Sequence, residues 1–175
     1  AFATGYYTAY SYIEPFLQQV GNMTENQITL TLMLFGGAGI IGSMLFSKYF
    51  PKYRFKFINV TLIGLIGGVA LLLPSAFSVP VTIAVCTIIG MSATAFNVAM
   101  QSEIITDTPQ SQTSVAMSIF SGIFNFGIGT GALIGGLVCS HLSISFIGIA
   151  GGLIVLLALL YWQLIVVKRS LRQAQ

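Results

Sequence analysis

The chain has 175 residues, 55% of them hydrophobic and only 6% charged, with a formal net charge of +3. Soluble domains carry roughly a quarter charged residues, so this composition excludes a water-facing globular surface. Its apolar runs are continuous, which excludes the short alternating segments of a transmembrane barrel and points to an all-α membrane protein.

A bilayer crossing takes about 20 predominantly apolar residues. On that measure six transmembrane helices are predicted, at 1–19, 27–47, 57–74, 79–101, 112–137 and 143–167. The first opens AFATG, apolar from its start and without an initiating methionine, so the chain is expected to be a fragment. Within it Tyr7, Ser11, Glu14 and Gln18 follow one another at spacings of four, three and four, with Tyr10 alongside. Pro15 cannot donate to the carbonyl of Ser11, and its ring crowds that carbonyl, so a kink is expected there. Thr24 and Gln27 have capping-box spacing at the head of the second span. Lys48, Lys52, Arg54 and Lys56 follow that span. Pro74, Ser75, Ser78 and Pro80 mark a tight turn before the fourth.

The fourth span carries Thr87, Gly90, Thr94, Asn97 and Gln101 at helical spacing. Glu103 and Asp107 lie in the segment after it. Thr108 and Pro109 read as an N-cap and first-turn proline opening the fifth span, which carries Ser114, Ser118, Ser121 and Asn125. Lys168, Arg169 and Arg172 follow the sixth. The positive-inside rule places both basic clusters, and with them the C-terminus, in the cytoplasm. All seven Lys and Arg belong to these clusters, and no basic aromatic groove accompanies them, so a nucleic-acid partner is not expected.

Each polar set falls on one helix face. Two readings remain open: hydrogen-bonding glue between packed helices, at about 0.6 kcal/mol per contact, or the lining of a water-filled cavity. On either reading spans one, four and five face something polar and spans three and six face lipid. Gly127, Gly131 and Gly135, and likewise Gly64 and Gly68, are four apart, the spacing that lets helix backbones approach closely. Cys86 and Cys139 are expected to be inert thiols, and His141 a solvated imidazole. No constellation for an enzyme, metal or cofactor can be assembled. Glu14 is the acid that a bilayer makes costly: it is either a proton carrier or an interfacial carboxylate partnered by a tyrosine hydroxyl. Glu103 is expected to meet Lys48 or Lys52 across the inner mouth, an exposed pair worth about 0–1 kcal/mol.

YTAYSYIEPF (Tyr7–Phe16), LFGGAGIIGS (Leu34–Ser43) and VAMSIFSGIFNFGIGTGALIGG (Val115–Gly136) together resemble bacterial sugar efflux transporters of the drug:proton antiporter group of the major facilitator superfamily. The resemblance covers essentially the whole chain and implies helices seven to twelve of a twelve-helix fold, so that an N-terminal six-helix half is missing. It departs from the superfamily pattern at SMLFSK (Ser43–Lys48), where Ser47 stands in place of an aspartate. It implies a proton-coupled exporter of sugars or related small polar solutes in a bacterial inner membrane, working by alternating access. Tyr7, Tyr10, Thr94, Asn97, Ser121 and Asn125 are the expected solute contacts. Glu14 and Pro15 would serve coupling or gating, and Lys48, Lys52 and Glu103 a cytoplasmic gate. An exporter of amphipathic drugs or nucleosides, using Phe35, Phe96, Phe120, Phe124 and Phe126, is the alternative. A scaffold or channel subunit is a lesser one.

Overall fold

The computed structural model describes residues 1–167; the basic cluster Lys168, Arg169 and Arg172 lies outside them. Among the described residues every regular element is helical: α1 (Phe2–Tyr10), α2 (Ile13–Gln19), α3 (Glu25–Ser75), α4 (Val79–Asp107), α5 (Thr113–His141) and α6 (Ile147–Tyr161). A 3-10 turn, Ile144–Phe146, leads into α6, and a π-helical segment, Trp162–Val167, follows it. Among the described residues four helices are long and apolar enough to cross a membrane: Glu25–Ser75, Val79–Asp107, Thr113–His141 and Ile144–Leu164.

The first predicted span, 1–19, is not one helix. It breaks at Ser11 and Tyr12, where Tyr12 has φ −119° and ψ 15°. Pro15 is the cause. In a continuous helix it would leave the Ser11 carbonyl unpaired and crowded. With a new helix begun at Ile13, Pro15 falls in the first turn, where no intrahelical N–H bond is owed.

The predicted spans 27–47 and 57–74 are joined in α3. Its 51 residues would measure about 76 Å if straight, at about 1.5 Å per residue, more than twice the ~30 Å hydrocarbon core. The helix is not straight: Tyr53, two residues beyond Pro51, has the non-helical values φ −132° and ψ 41°. The packing against α4 shows what happens there. Along the first leg Phe35 meets Gly90 and Gly39 meets Thr94, so the register on α4 ascends. Along the second Gly64 meets Ser92 and Gly68 meets Ile89, so it descends. The chain therefore reverses at Tyr53, and both legs lie on α4.

Other boundaries are set by local chemistry. Gln27 Oε1 accepts the Thr24 backbone N–H at 2.9 Å in the expected capping box. The turn between α3 and α4 falls where predicted, with Ser78 as N-cap and Pro80 in the first turn. The start of α5 is corrected: Thr108 is extended, Pro109 begins a separate turn closed by Gln112 N–H at 2.8 Å, and α5 opens at Thr113 with Gln112 as N-cap. Pro109 is thus spent on the turn that ends α4.

Small residues hold the bundle together. Gly127, Gly131 and Gly135 are the buried residues of α5, and they lie against Ala3, Thr4 and Thr8 of α1. Gly5 and Gly151 bring α1 and α6 together: a Cβ on Gly5 would stand 2.6 Å from the Gly151 carbonyl. Around these contacts Phe16, Leu17, Ile58, Leu65, Leu72, Ile147 and Val155 are fully buried. The exposed face of α6 carries Leu153, Leu156, Leu157 and Leu160.

The hydroxyls contribute little glue between helices. Thr8, Thr31, Ser43, Thr87, Ser118 and Thr130 each donate to the carbonyl four residues back on their own helix. Among the described residues the hydroxyls that bridge elements are Tyr12, donating to the Ala132 carbonyl at 3.1 Å, and Thr82, donating to the Ser75 carbonyl at 2.8 Å.

Candidate functional site

A cleft of about 170 Å³ opens between α1, α4 and α5, lined by Phe2, Tyr6, Tyr7, Ala93, Thr94, Asn97 and Phe124. Three of the expected contacts, Tyr7, Thr94 and Asn97, meet there. Gly131 sets the position of Tyr7: a Cβ on that glycine would overlap the Thr4 carbonyl and stand 3.0 Å from Tyr7 Cβ. Gly39 does the same for Thr94, whose Oγ1 would lie 2.8 Å from a Cβ there. The glycine ladders thus place the polar groups as well as packing the helices.

The cleft is aromatic with polar edges. Tyr6 stacks on Tyr10 at 5.2 Å, and Tyr10 stacks on Phe35 at 5.2 Å. Tyr7 meets Tyr6 edge-on at 4.8 Å and Tyr10 at 5.6 Å. Phe2 lies on Phe96 at 3.9 Å and reaches Phe124 at 6.4 Å. Tyr10 is thus the exposed ring of an aromatic stack, held between Tyr6 and Phe35. Asn97 is oriented by Gln101, which donates to its Oδ1. That leaves the Asn97 amide N–H groups for the cleft. Among the described residues the Tyr7 and Thr94 hydroxyls have no hydrogen-bond partner, so each can donate and accept. Flat aromatic faces beside free hydroxyls and an amide suit a solute with both an apolar face and hydroxyl groups.

The remaining expected contacts are not in this cleft. Ser121 and Asn125 are exposed on α5, flanking Phe124. Glu14 is exposed in the first turn of α2, and among the described residues it has no hydrogen-bond partner. The expected tyrosine partner is therefore not made. The break at Tyr12 is the reason: a four-three-four spacing puts residues on one stripe only along an uninterrupted helix.

At the bend of α3 the expected pairing is also corrected. Glu103 is bound by Arg54, not by Lys48 or Lys52. Arg54 Nε and Nη2 donate to the two carboxylate oxygens of Glu103, and Nη2 also reaches both oxygens of Asp107 at 3.2 Å. The hydrogen bond that Arg54 donates to Glu103 leads the effects that hold its guanidinium above the ordinary pKa, against the opposing effect of burial. The sequence held a signal for this. Glu103 and Asp107 are four apart at the carboxyl end of α4, where like charges repel and the helix dipole disfavours anions. Such a pair calls for a bidentate cation, which arginine supplies and lysine does not. Lys48 and Lys52 instead lie 5.3 Å from the rings of Tyr49 and Tyr53.

Residues 1–174 match the family model described as Major Facilitator Superfamily.

Proposed function

The chain belongs to the Major Facilitator Superfamily, and from that premise we propose that it forms one six-crossing half of a proton-coupled exporter of sugars or related small polar solutes. Membership makes it a multi-pass membrane protein in a family of secondary transporters. The cleft between α1, α4 and α5 carries the reading: Tyr7, Thr94 and Asn97 present unpaired polar groups beside stacked aromatic faces. Tyr10 extends that surface. Ser121 and Asn125, exposed next to Phe124, complete it from α5.

The bend at Tyr53 supports a count of six crossings. The pair α1 and α2 makes the first, the two legs of α3 the second and third, and α4, α5 and α6 the rest. A second six-helix half supplies the opposite wall, and rocking between the halves gives alternating access. Glu14 and Pro15, at a helix break, serve coupling or gating. Glu103 with Arg54 forms the cytoplasmic gate, beside Lys48 and Lys52. The membrane is a bacterial inner membrane, with the bend of α3 and the C-terminus in the cytoplasm. Cysteine labelling at positions 22 and 52 tests this topology, because opposite sides are required.

A specific observation favours amphipathic drugs or nucleosides as a second cargo class. A more apolar cavity of about 190 Å³, lined by Phe2, Phe96, Met100, Phe120 and Phe124 among others, adjoins the cleft. Uptake into everted vesicles holding the full-length protein, with and without a pH gradient, separates the readings. Sugar uptake that collapses with the gradient supports the first, and drug uptake alone supports the second. Conduction without coupling would mark a channel, and no flux at all would leave a scaffold.

A further inference from the structure

Among the described residues the bend of α3 carries three lysines with no acidic side chain paired to them. Lys48, Lys52 and Lys56 are four residues apart and all exposed. The chain has four acids. Two of them, Glu103 and Asp107, are occupied by Arg54. The others, Glu14 and Glu25, lie in α2 and at the first residue of α3, neither of them in the bend. Lys52 and Lys56 both flank one ring, that of Tyr53, at 5.3 and 6.0 Å from its centroid.

Beside these lysines the two legs of α3 leave a groove of about 450 Å³, lined by Leu45, Tyr49, Tyr53, Lys56, Phe57 and Val60. Its walls are apolar and aromatic except for Lys56 at the rim. Val60 and the next outward residue of that leg, Ile63, are exposed at 66% and 56%, so the groove runs on along an apolar face. Tyr49 and Tyr53 are half-exposed rings of the kind that sit at a membrane–water interface.

We propose that this groove holds an anionic phospholipid, with its phosphate on Lys52 and Lys56 and one acyl chain between the legs of α3. The charge decides between occupants. A zwitterionic lipid or an apolar protein segment would fill the groove but leave three neighbouring ammonium groups uncompensated. An anionic headgroup compensates them at the depth where the apolar lining begins. Each lysine near a membrane surface contributes about fivefold to binding of anionic lipid, or about 1 kcal/mol. The pair that would hold the phosphate therefore gives a preference of roughly twenty-five-fold over neutral lipid.

The test uses the full-length protein in phosphatidylcholine nanodiscs doped with phosphatidylglycerol carrying a photoreactive acyl chain. Cross-linked residues are mapped by mass spectrometry, and photoreactive phosphatidylcholine serves as the reference. Cross-links to Leu45, Phe57 and Val60 should favour phosphatidylglycerol by roughly twenty-five-fold. Lys56→Gln should reduce that preference about fivefold, and Lys52→Gln with Lys56→Gln should nearly abolish it. Cross-links to Leu153 and Leu157 on α6 should not change, which confirms that the variants are folded. Equal labelling by both lipids, or a preference that survives the double substitution, would overturn the proposal. So would displacement of the lipid by soluble glycerol phosphate, which would mark a free-phosphate site, or cross-links to protein in place of lipid.

Discussion

Replacing Arg54 with glutamine removes the cation that reconciles Glu103 and Asp107. The Glu103 side chain is 14% exposed and that of Arg54 is 39%, so the pair is neither fully buried nor free in water. Hydrogen bonds to charged groups contribute about 1.5–3 kcal/mol, and the exposure of Arg54 discounts the upper end. The loss of the cation also leaves two carboxylates repelling each other at a helix carboxyl end, at a few tenths of a kcal/mol. We expect Arg54→Gln to cost about 2 kcal/mol, or roughly 4–8 °C at about 2–4 °C per kcal/mol for a chain of this size. Arg54→Lys should lose about half as much, because an ammonium keeps the charge without the fork. The assay is built into the chain: Cys86 is buried, so a thiol-reactive fluorophore reports unfolding. The decisive arm is Arg54→Gln with Glu103→Gln. Neutralising the stranded carboxylate should restore part of the loss, leaving the double variant more stable than Arg54→Gln alone. If the two losses simply add, Arg54 and Glu103 act independently, and the bend of α3 is not tied to the end of α4 through them.

Three further outcomes follow from the packing and the cleft. Gly131→Val should destabilise the α1–α5 contact by about 2 kcal/mol or more, because the new atoms meet the Thr4 carbonyl and Tyr7 Cβ; the same thermal assay reads it, and Gly129→Val, with open space around it, is the control. Asn97→Ala should weaken solute binding about tenfold, the worth of a hydrogen bond of about 1.4 kcal/mol, with stability little changed, as measured by equilibrium binding of labelled solute to the full-length protein. Glu14→Gln should leave stability within about 0.5 kcal/mol, and solute uptake with and without a pH gradient reads its part in coupling: uptake that no longer follows the gradient supports a proton carrier, and unchanged uptake assigns it a structural role.

What could be read from the sequence was what is local. Composition and run length gave the helical membrane class, and the spacing of Gly127, Gly131 and Gly135 marked a close helix contact before its partner was known. The partner, α1, was not legible, because nothing in the four-residue period names the facing helix. The lysines at 48, 52 and 56 fell between two predicted spans, yet the helix runs on to Tyr53. Continuing it satisfies backbone groups that a loop near an apolar interface would leave bare. The polar stripe on α4 was half legible. Thr94 and Asn97 reach the cleft, but Thr87 turns back onto its own helix and Gly90 is a packing surface. Helical spacing selects a face and does not say what the face meets. Arg54 was legible only as a cation that orients the membrane; what singles it out is the pair of acids four apart at the end of α4, which a bidentate cation satisfies.

Glu14 shows most clearly where spacing fails. Seven residues of continuous helix turn through about 700°, which returns Glu14 to the face of Tyr7. The break at Ser11 and Tyr12 removes that phase relation, and the tyrosines close among themselves into a stack. The carboxylate is left at an exposed position with no hydrogen-bond partner among the described residues. A bare carboxylate against hydrocarbon is costly, and none of the residues around it offers a cation. The exposed run Tyr10, Ser11, Glu14 and Gln18 is too polar for a lipid face. It suits a surface that meets water or a second helical half. The residue that first suggested proton coupling is thus also the residue that argues for an opposing wall.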